Sequence, residues 1–235
     1  MDDRPLVFIP TYNEAGNVVK LYNDLKNIGI KIDILFLDDD SPDGTGKILE
    51  ELSQKDENLF IIHRKKKLGI GSAHKDGIRW AYSRNYKILI TMDSDYSHSP
   101  DDIEEFLKIA EKNDLIVGTR FIKKDGMGEL SLVRRFLSLS AHFMTKYLLK
   151  VPYDCTNGFR LYSLDKIPQS LFDEVKSHSY SFFFESLFII HNRKLKIEEI
   201  AIKLGGRVYG DSNMSINDAL LSIKMLLKLL KEKYF

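Results

Sequence analysis

An alternation restricts this chain more than any other feature. Five short apolar runs rich in β-branched residues, at 6–9, 32–37, 59–62, 88–91 and 115–117, are separated by stretches with helical spacing. Val18, Val19, Tyr22 and Leu25 recur at that spacing after the first run, and Ile48, Leu49 and Leu52 after the second. A third helix passes through Ile78 and Trp80. Strands joined by helices make right-handed crossovers, which predicts an α/β domain with a mostly parallel central sheet flanked by helices. Ligands of such sheets sit beyond the carboxyl ends of the strands, and the polar loops after runs one, two and four all fall on that edge. No repeat or low-complexity linker breaks the pattern, so residues 1–212 read as one domain. Residues 213–235 read as an amphipathic helix that is part of it or packed on it.

The fourth run leads into the most chemically suggestive stretch, ILITMDSDYSHSP at 88–100. Asp93 and Asp95, two positions apart just past a strand end, can face one point in space, which suits a hard divalent cation. An isolated D-x-D is also what a solvated loop before a helix N-terminus looks like, since negative charge is favoured there. His98 lies in the same loop and reads as a structural hydrogen-bonding group. The six histidines show no metal-ligand spacing.

Charge and cysteine content exclude some partners and architectures. Lys plus Arg (35) nearly cancels Asp plus Glu (34), so no global field calls for nucleic acid. The single cysteine, Cys155, rules out an intramolecular disulfide framework, fits a reducing compartment and reads as a buried inert thiol. Asp2, Asp3 and Arg4 do not open a secretory leader. No apolar stretch reaches the ~18 to 20 residues that span a bilayer.

Two loops carry further charge. Asp39, Ser41, Asp43, Gly44 and Glu50 match the spacing of a calcium loop, but a strand enters it, Gly46 takes the apolar position and Pro42 stiffens its middle. An acid there also suits the N–H donors of a nucleobase. Arg64, Lys65, Lys66 and Lys67 precede the glycines of LGIGSA and a helix start, a setting that attracts anions. Residues 123–128 read as a mobile loop hinged on glycines, 132–151 as a helix with a broad apolar face, and 182–190 as core. The C-terminal stretch sets Leu220, Leu221, Leu227 and Leu230 among Lys224, Lys228, Lys231 and Lys233. That pattern suits either an anionic membrane surface or docking on the core.

Taken together, these segments resemble the family 2 glycosyltransferases of the GT-A (Rossmann-like) fold, and within them the polyprenol-phosphate mannose synthases, or dolichol-phosphate mannosyltransferases. The carriers are PTYNE (10–14), DDDSPDGTG (38–46), LGIGSA (68–73), MDSDYSHSP (92–100), GTRF (118–121), TNGFRLYS (156–163) and RVYGDSNMS (207–215). The resemblance implies a metal-dependent, inverting transfer of a sugar, mannose from GDP-mannose first of all, to a polyprenyl or dolichyl phosphate. It implies that Pro10, Tyr12, Glu14, Asp39, Asp93, Ser94, Asp95 and Arg207 hold the nucleotide-sugar donor, Arg207 on its phosphates. Asp93 and Asp95 would ligate Mg²⁺ or Mn²⁺ with Ser97 in third position, where some family members carry Gln. Arg120, Arg134 and Ser138 match residues that engage the acceptor phosphate, and Asp95, Arg120 and Arg134 form the implied catalytic set. The 123–128 loop would be a lid linking Arg120 to Arg134, whereas Arg135 falls outside the pattern and reads as a surface ion pair.

The implied chemistry explains these residue types. Leaving phosphates gain negative charge, which a cation and arginines stabilise, and a lipid phosphate acceptor is already anionic, so no general base is needed. The family implies a peripheral, cytoplasmic membrane location, reached through the chain's own amphipathic surfaces or through an integral membrane partner subunit. One rival reading is a transferase using UDP-glucose or another donor, with a hydroxyl acceptor and Asp154, beside Cys155, as its only evident base. Another is a non-catalytic nucleotide- or calcium-binding module. A dinucleotide oxidoreductase is disfavoured because no G-x-G-x-x-G follows the first run.

Overall fold

Leu6–Thr11 (β1) is buried at every position because it lies inside a sheet covered on both faces. The computed structural model describes residues 4–123, 125–128, 132–205 and 216–234, without the side chains of 132–134, 136, 137, 216 and 219. Six further strands are described: Asp33–Asp38 (β2), Leu59–His63 (β3), Ile88–Thr91 (β4), Leu115–Thr119 (β5), Arg160–Ser163 (β6) and Ile197–Ala201 (β7). They join in the order β3-β2-β1-β4-β6-β5-β7. All neighbours run parallel except β6, which is antiparallel to both β4 and β5. The sheet is therefore mostly parallel, as the alternation predicts.

Strand periodicity sorts side chains into two layers. Val7 and Ile9 of β1 and Phe36 of β2 pack with Val18, Leu21 and Leu25 of Val18–Asn27 (α1), Leu49 of Thr45–Ser53 (α2) and Phe106 of Ile103–Lys108 (α4). Leu6 and Phe8 face the other layer. There they meet Ala73, Ile78 and Ala81 of Ile70–Ser83 (α3) and the phenylalanines of Ser181–Asn192 (α7). Leu132–Phe143 (α5) and the short Ser170–Asp173 (α6) precede α7 in the chain, and Ile216–Tyr234 (α8) follows β7. Each fully buried Leu, Val or Phe contributes roughly 1.5–3 kcal/mol, so helices on both faces hold the sheet while its strand ends stay open.

One segment differs from its sequence signal, and two others take the form theirs implied. The apolar pattern over 132–151 is not one regular helix: after α5 the backbone widens into a π turn at Met144–Leu148, closed by Leu149 N–H donating to the Met144 carbonyl at 3.3 Å. The apolar stretch 182–190 is core, and it takes the form of α7, buried on almost every side. The C-terminal helix takes the core-docked option along one face. Leu226 and Leu229 dock into the core, whereas Leu220, Leu221, Ile223 and Leu227 are exposed.

Candidate active site

β1 lies between β2 and β4, so the loops after these three strands meet at one edge of the sheet. The β1 and β2 loops are stitched together directly. Asn13 adopts a left-handed φ of 59° and its N–H donates to Ser41 Oγ at 2.9 Å. Glu14 N–H donates to Thr45 Oγ1 at 2.9 Å, and Ala15 N–H to Asp43 Oδ2 at 3.0 Å. Burial works to push the Asp43 carboxyl up, but hydrogen bonds from Thr45 and Ala15 outweigh it and hold it below the usual range. Pro10 is buried at the end of β1, and the Tyr12 ring beyond it is covered by Lys67 Nζ, 3.6 Å from its centroid.

Asp39 is 5% exposed and ties down the basic loop. Its carboxylate accepts from Arg64 Nη1 at 3.0 Å, Leu68 N–H at 3.0 Å and Gly69 N–H at 3.0 Å. Arg64 also reaches Asp76 Oδ2 at 2.5 Å. With Asp39 and Asp43 committed to separate sets of donors, the calcium-loop spacing does not correspond to a shared ligand cage.

The loop after β4 turns sharply at Tyr96, whose φ is 65°. Tyr96 is anchored by its hydroxyl, which donates to Asp24 Oδ2 at 2.7 Å, and burial, followed by that carboxylate, pushes the phenol up to about 12. Ser94 and Asp95 are each 4% exposed, while the Asp93 side chain is 39% exposed. Ser97 N–H donates to Asp95 Oδ1 at 3.0 Å, and Ser97 Oγ lies 3.4 Å from Asp93 Oδ2. His98 is 2% exposed and makes the structural bonds its sequence position suggests. Its Nδ1 accepts from Asp93 N–H at 3.0 Å, which leaves Nε2–H to donate to Asn157 Oδ1 at 2.8 Å.

Asp93, Asp95 and Ser97 thus present hard oxygen donors from one loop. Among the described residues no three His, Cys, Asp or Glu side chains close into a protein-only metal cage. Two carboxylates and a hydroxyl fit instead a cation that keeps waters and shares its coordination with a diphosphate, the usual habit of Mg²⁺.

Arg120 follows β5 on the same edge. Its Nε lies 3.1 Å from Asp154 Oδ2, and its Nη2 donates to Thr156 Oγ1 at 2.5 Å. Asp154 is 0% exposed. Burial alone would push its carboxyl up, but the Arg120 guanidinium, aided by hydrogen bonds from Arg120 and Thr156, holds it below the usual carboxylate range. A carboxylate so paired and enclosed is placed to orient Arg120 rather than to meet an acceptor hydroxyl.

Two paths link Arg120 to the acidic loop. Thr156, which accepts from Arg120, precedes Asn157, which holds His98 and also donates to the Gly118 carbonyl at 2.7 Å. The second path runs through backbone: Gly205 N–H donates to the Ser97 carbonyl at 3.1 Å and Leu204 N–H to the Gly126 carbonyl at 3.0 Å. Gly126 lies so close to Arg120 that an added Cβ would sit 2.3 Å from its carbonyl oxygen. Lys203 pairs with Asp125 at 3.0 Å, fastening the same turns. Arg135 is exposed and donates to the Gly128 carbonyl at 3.4 Å, and no acid pairs with it among the described residues.

The structure therefore brings Pro10, Tyr12, Glu14, Asp39, Asp93, Ser94, Asp95, Ser97 and Arg120 to one edge of the sheet. Ser138 lies on α5, half-buried, with a hydroxyl that has no partner among the described residues. The Arg134 side chain, Lys124 of the 123–128 loop and Arg207 lie outside the described residues. Sequence reasoning did not single out Thr156, Asn157 and Gly158, which bind Arg120, hold His98 and back Asp93. An added Cβ on Gly158 would lie 3.5 Å from Asp93 Oδ1. The available signal was their position as small polar residues inside the TNGFRLYS motif.

Comparison with known proteins bears on the family and the fold. Residues 6–169 match the profile of glycosyl transferase family 2. An undecaprenyl-phosphate mannosyltransferase of Micrococcus luteus is 31% identical over 213 residues, covering 90% of this chain and 88% of that protein. A polyprenol monophosphomannose synthase of Mycolicibacterium smegmatis is 32% identical over 215 residues, covering 90% and 81%. Among solved structures, glucosyl-3-phosphoglycerate synthase of Mycobacterium tuberculosis, in complex with Mn²⁺, UDP and glucosyl-3-phosphoglycerate, superposes with a TM-score of 0.63 at 16% identity. It covers 97% of this chain and 78% of that one. Mannosyl-3-phosphoglycerate synthase of Rubrobacter xylanophilus gives a TM-score of 0.62 at 12% identity, covering 98% and 73%.

Proposed function

The chain belongs to glycosyl transferase family 2, with the GT-A fold, and we propose that this glycosyltransferase moves mannose from GDP-mannose to a polyprenyl or dolichyl phosphate with inversion at the anomeric carbon. The observation that carries the acceptor class is the Arg120–Asp154 pair. Arg120 stands at the acidic-loop edge, and the one base that a hydroxyl acceptor would use is 0% exposed beneath it. An acceptor that arrives as an anion needs no base, and a guanidinium is the group that orients a phosphate. The polyprenyl-phosphate relatives named above support the same class.

In this reading Pro10, Tyr12, Glu14 and Asp39 form the nucleoside end of the donor site, Asp39 by fixing the loop that carries Lys67 over Tyr12. Asp93, Asp95 and Ser97 hold Mg²⁺ or Mn²⁺, which when bound neutralises charge on the departing diphosphate. Ser94 and Arg207 complete the donor site. Arg120, Arg134 and Ser138 draw the acceptor phosphate in line behind the sugar, and the 123–128 loop serves as the lid linking Arg120 to Arg134. Residues 1–212 act as the transferase domain, and the C-terminal amphipathic helix of 213–235 is part of it or packed on it.

No described helix is long and apolar enough to cross a membrane. Exposed Phe143 and Tyr147 near α5 and exposed Leu220 and Leu227 on α8, set among lysines, suit peripheral attachment to an anionic cytoplasmic leaflet, alone or beside an integral membrane partner. The test is product mass spectrometry with a polyprenyl phosphate, Mn²⁺ and a panel of nucleotide sugars. A β-linked mannosyl lipid from GDP-mannose, abolished in Asp95→Ala, is expected. Turnover only with a hydroxyl acceptor, or full turnover in Asp95→Ala, would overturn the proposal.

A further inference from the structure

Two polar atoms on α5 are screened from solvent and have no hydrogen-bond partner among the described residues: Ser138 Oγ and His142 Nδ1. Four positions apart on a helix, they share one face. A buried polar group left unsatisfied costs about 1–3 kcal/mol, so two on successive turns of one face call for a common partner. The surroundings say what kind. The His142 ring stacks on Phe121 with centroids 4.0 Å apart and planes at 27°, and Phe121 directly follows Arg120. Asp154, Lys146 and Arg120 are the charged groups that act on the ring. This face of α5 therefore looks onto the corner where Arg120 meets Asp154 and Thr156. His74 offers a contrast: its ring nitrogens also have no partner among the described residues, but three phenylalanine rings pack around it.

We propose that His142 is a further contact for the acceptor's anionic group, donating Nδ1–H to an oxygen of the phosphate that Arg120 draws in, next to the Ser138 hydroxyl. This rests on the reading above that the acceptor is a phosphate. A phosphate monoester's three terminal oxygens accept more hydrogen bonds than the Arg120 and Arg134 forks supply, and two neutral donors on a helix add to the set. Burial keeps the imidazole below its ordinary range against the pull of Asp154, so near neutral pH it carries one N–H and remains compatible with Arg120 and Lys146 beside it. The Phe121 stack fixes the plane in which that N–H points.

The test uses the full chain and geranyl phosphate, a short soluble isoprenyl phosphate. Calorimetric titration of wild type, His142→Phe and His142→Asn is expected to give about tenfold weaker binding for the phenylalanine variant, which keeps the stack. Recovery is expected for asparagine, whose side-chain amide places a donor near the Nδ1 position. In wild-type protein carrying ¹⁵N-histidine, the His142 ring signal is expected to move on adding geranyl phosphate. Equal affinity of wild type and His142→Phe, or a His142 signal that does not respond, overturns the inference while leaving polyprenyl-phosphate transfer intact. A wild type that binds geranyl phosphate but transfers no sugar refutes the proposed activity and leaves the His142 contact standing, and a wild type that does not bind it refutes both.

Discussion

His74 makes this protein's stability pH-dependent in a way that one substitution should remove. It is 1% exposed on α3, with ring centroids 5.6 Å from Phe8, 5.3 Å from Phe182 and 4.9 Å from Phe183. Burial, with smaller contributions from Arg160 and His98, lowers its pKa from 6.5 to about 3. The unfolded chain thus takes up a proton below 6.5 that the folded chain refuses. Stability is complete above 6.5 and is lost as pH falls toward 3, at 1.36 kcal/mol per unit, reaching ~5 kcal/mol at the acid end. At pH 5 the loss is about 2 kcal/mol, a large part of the 5–15 kcal/mol typical of a domain. His74→Leu fills the same apolar cage without a titrating group. Urea unfolding followed by circular dichroism at pH 8, 7, 6 and 5 should show the variant gaining on wild type by about 2 kcal/mol between pH 7 and pH 5. The two proteins differ only at position 74, so the difference between them reads that ring. A difference that stays constant from pH 8 to pH 5 would refute the reasoning.

Three further outcomes follow from packing and charge. Gly77→Ala would place a Cβ 2.4 Å from Phe8 Cε2, driving α3 off β1, and should destabilise by about 1–3 kcal/mol, read as a lower urea midpoint. Asp154→Asn leaves the Arg120 guanidinium without its buried counter-charge and should lower stability by roughly 3 kcal/mol. Because Asp154 orients Arg120 rather than accepting a proton, the variant should raise the acceptor KM more than it lowers kcat, and a collapse of kcat at unchanged acceptor KM would contradict that role. Cys155 is 1% exposed with its thiol pushed up to about 12 by burial, so it should react with a thiol reagent at pH 8 at least ~100-fold more slowly in native protein than in urea.

What the sequence discloses and what it hides divides along one physical line. β1, β2, β4 and β5 are legible because burial on both faces writes an unbroken apolar run, β3 because its apolar run persists at a half-buried sheet edge, and the acidic loops because their spacing is local. β6 is not, since its RLYS contains an arginine that no central strand would be expected to bury, yet Arg160 is 0% exposed. Its guanidinium is satisfied locally by the carbonyls of Asn157 and Cys155, and across the fold by the Phe183 carbonyl and by Ser186 Oγ at 3.1 Å, acceptors whose arrival depends on α7 packing from 23 to 26 positions away. β7 escaped for a different reason: at the edge of the sheet, IEEIA can carry Glu198 and Glu199, and edge charges are tolerated where central ones are not.

The same division governs the site. Asp39 and Asp154 are both acids in suggestive surroundings, and a sequence shows that each can ionise without showing what already answers its charge. For Asp39 the answer comes from Arg64, 25 positions on, and from two N–H groups of the next loop. For Asp154 it comes from Arg120, 34 positions back. A carboxylate's role is set by the charge it faces, and pairing across such separations belongs to the fold. That is why a residue that looked like a base in the sequence becomes, in the folded chain, the group that aims an arginine.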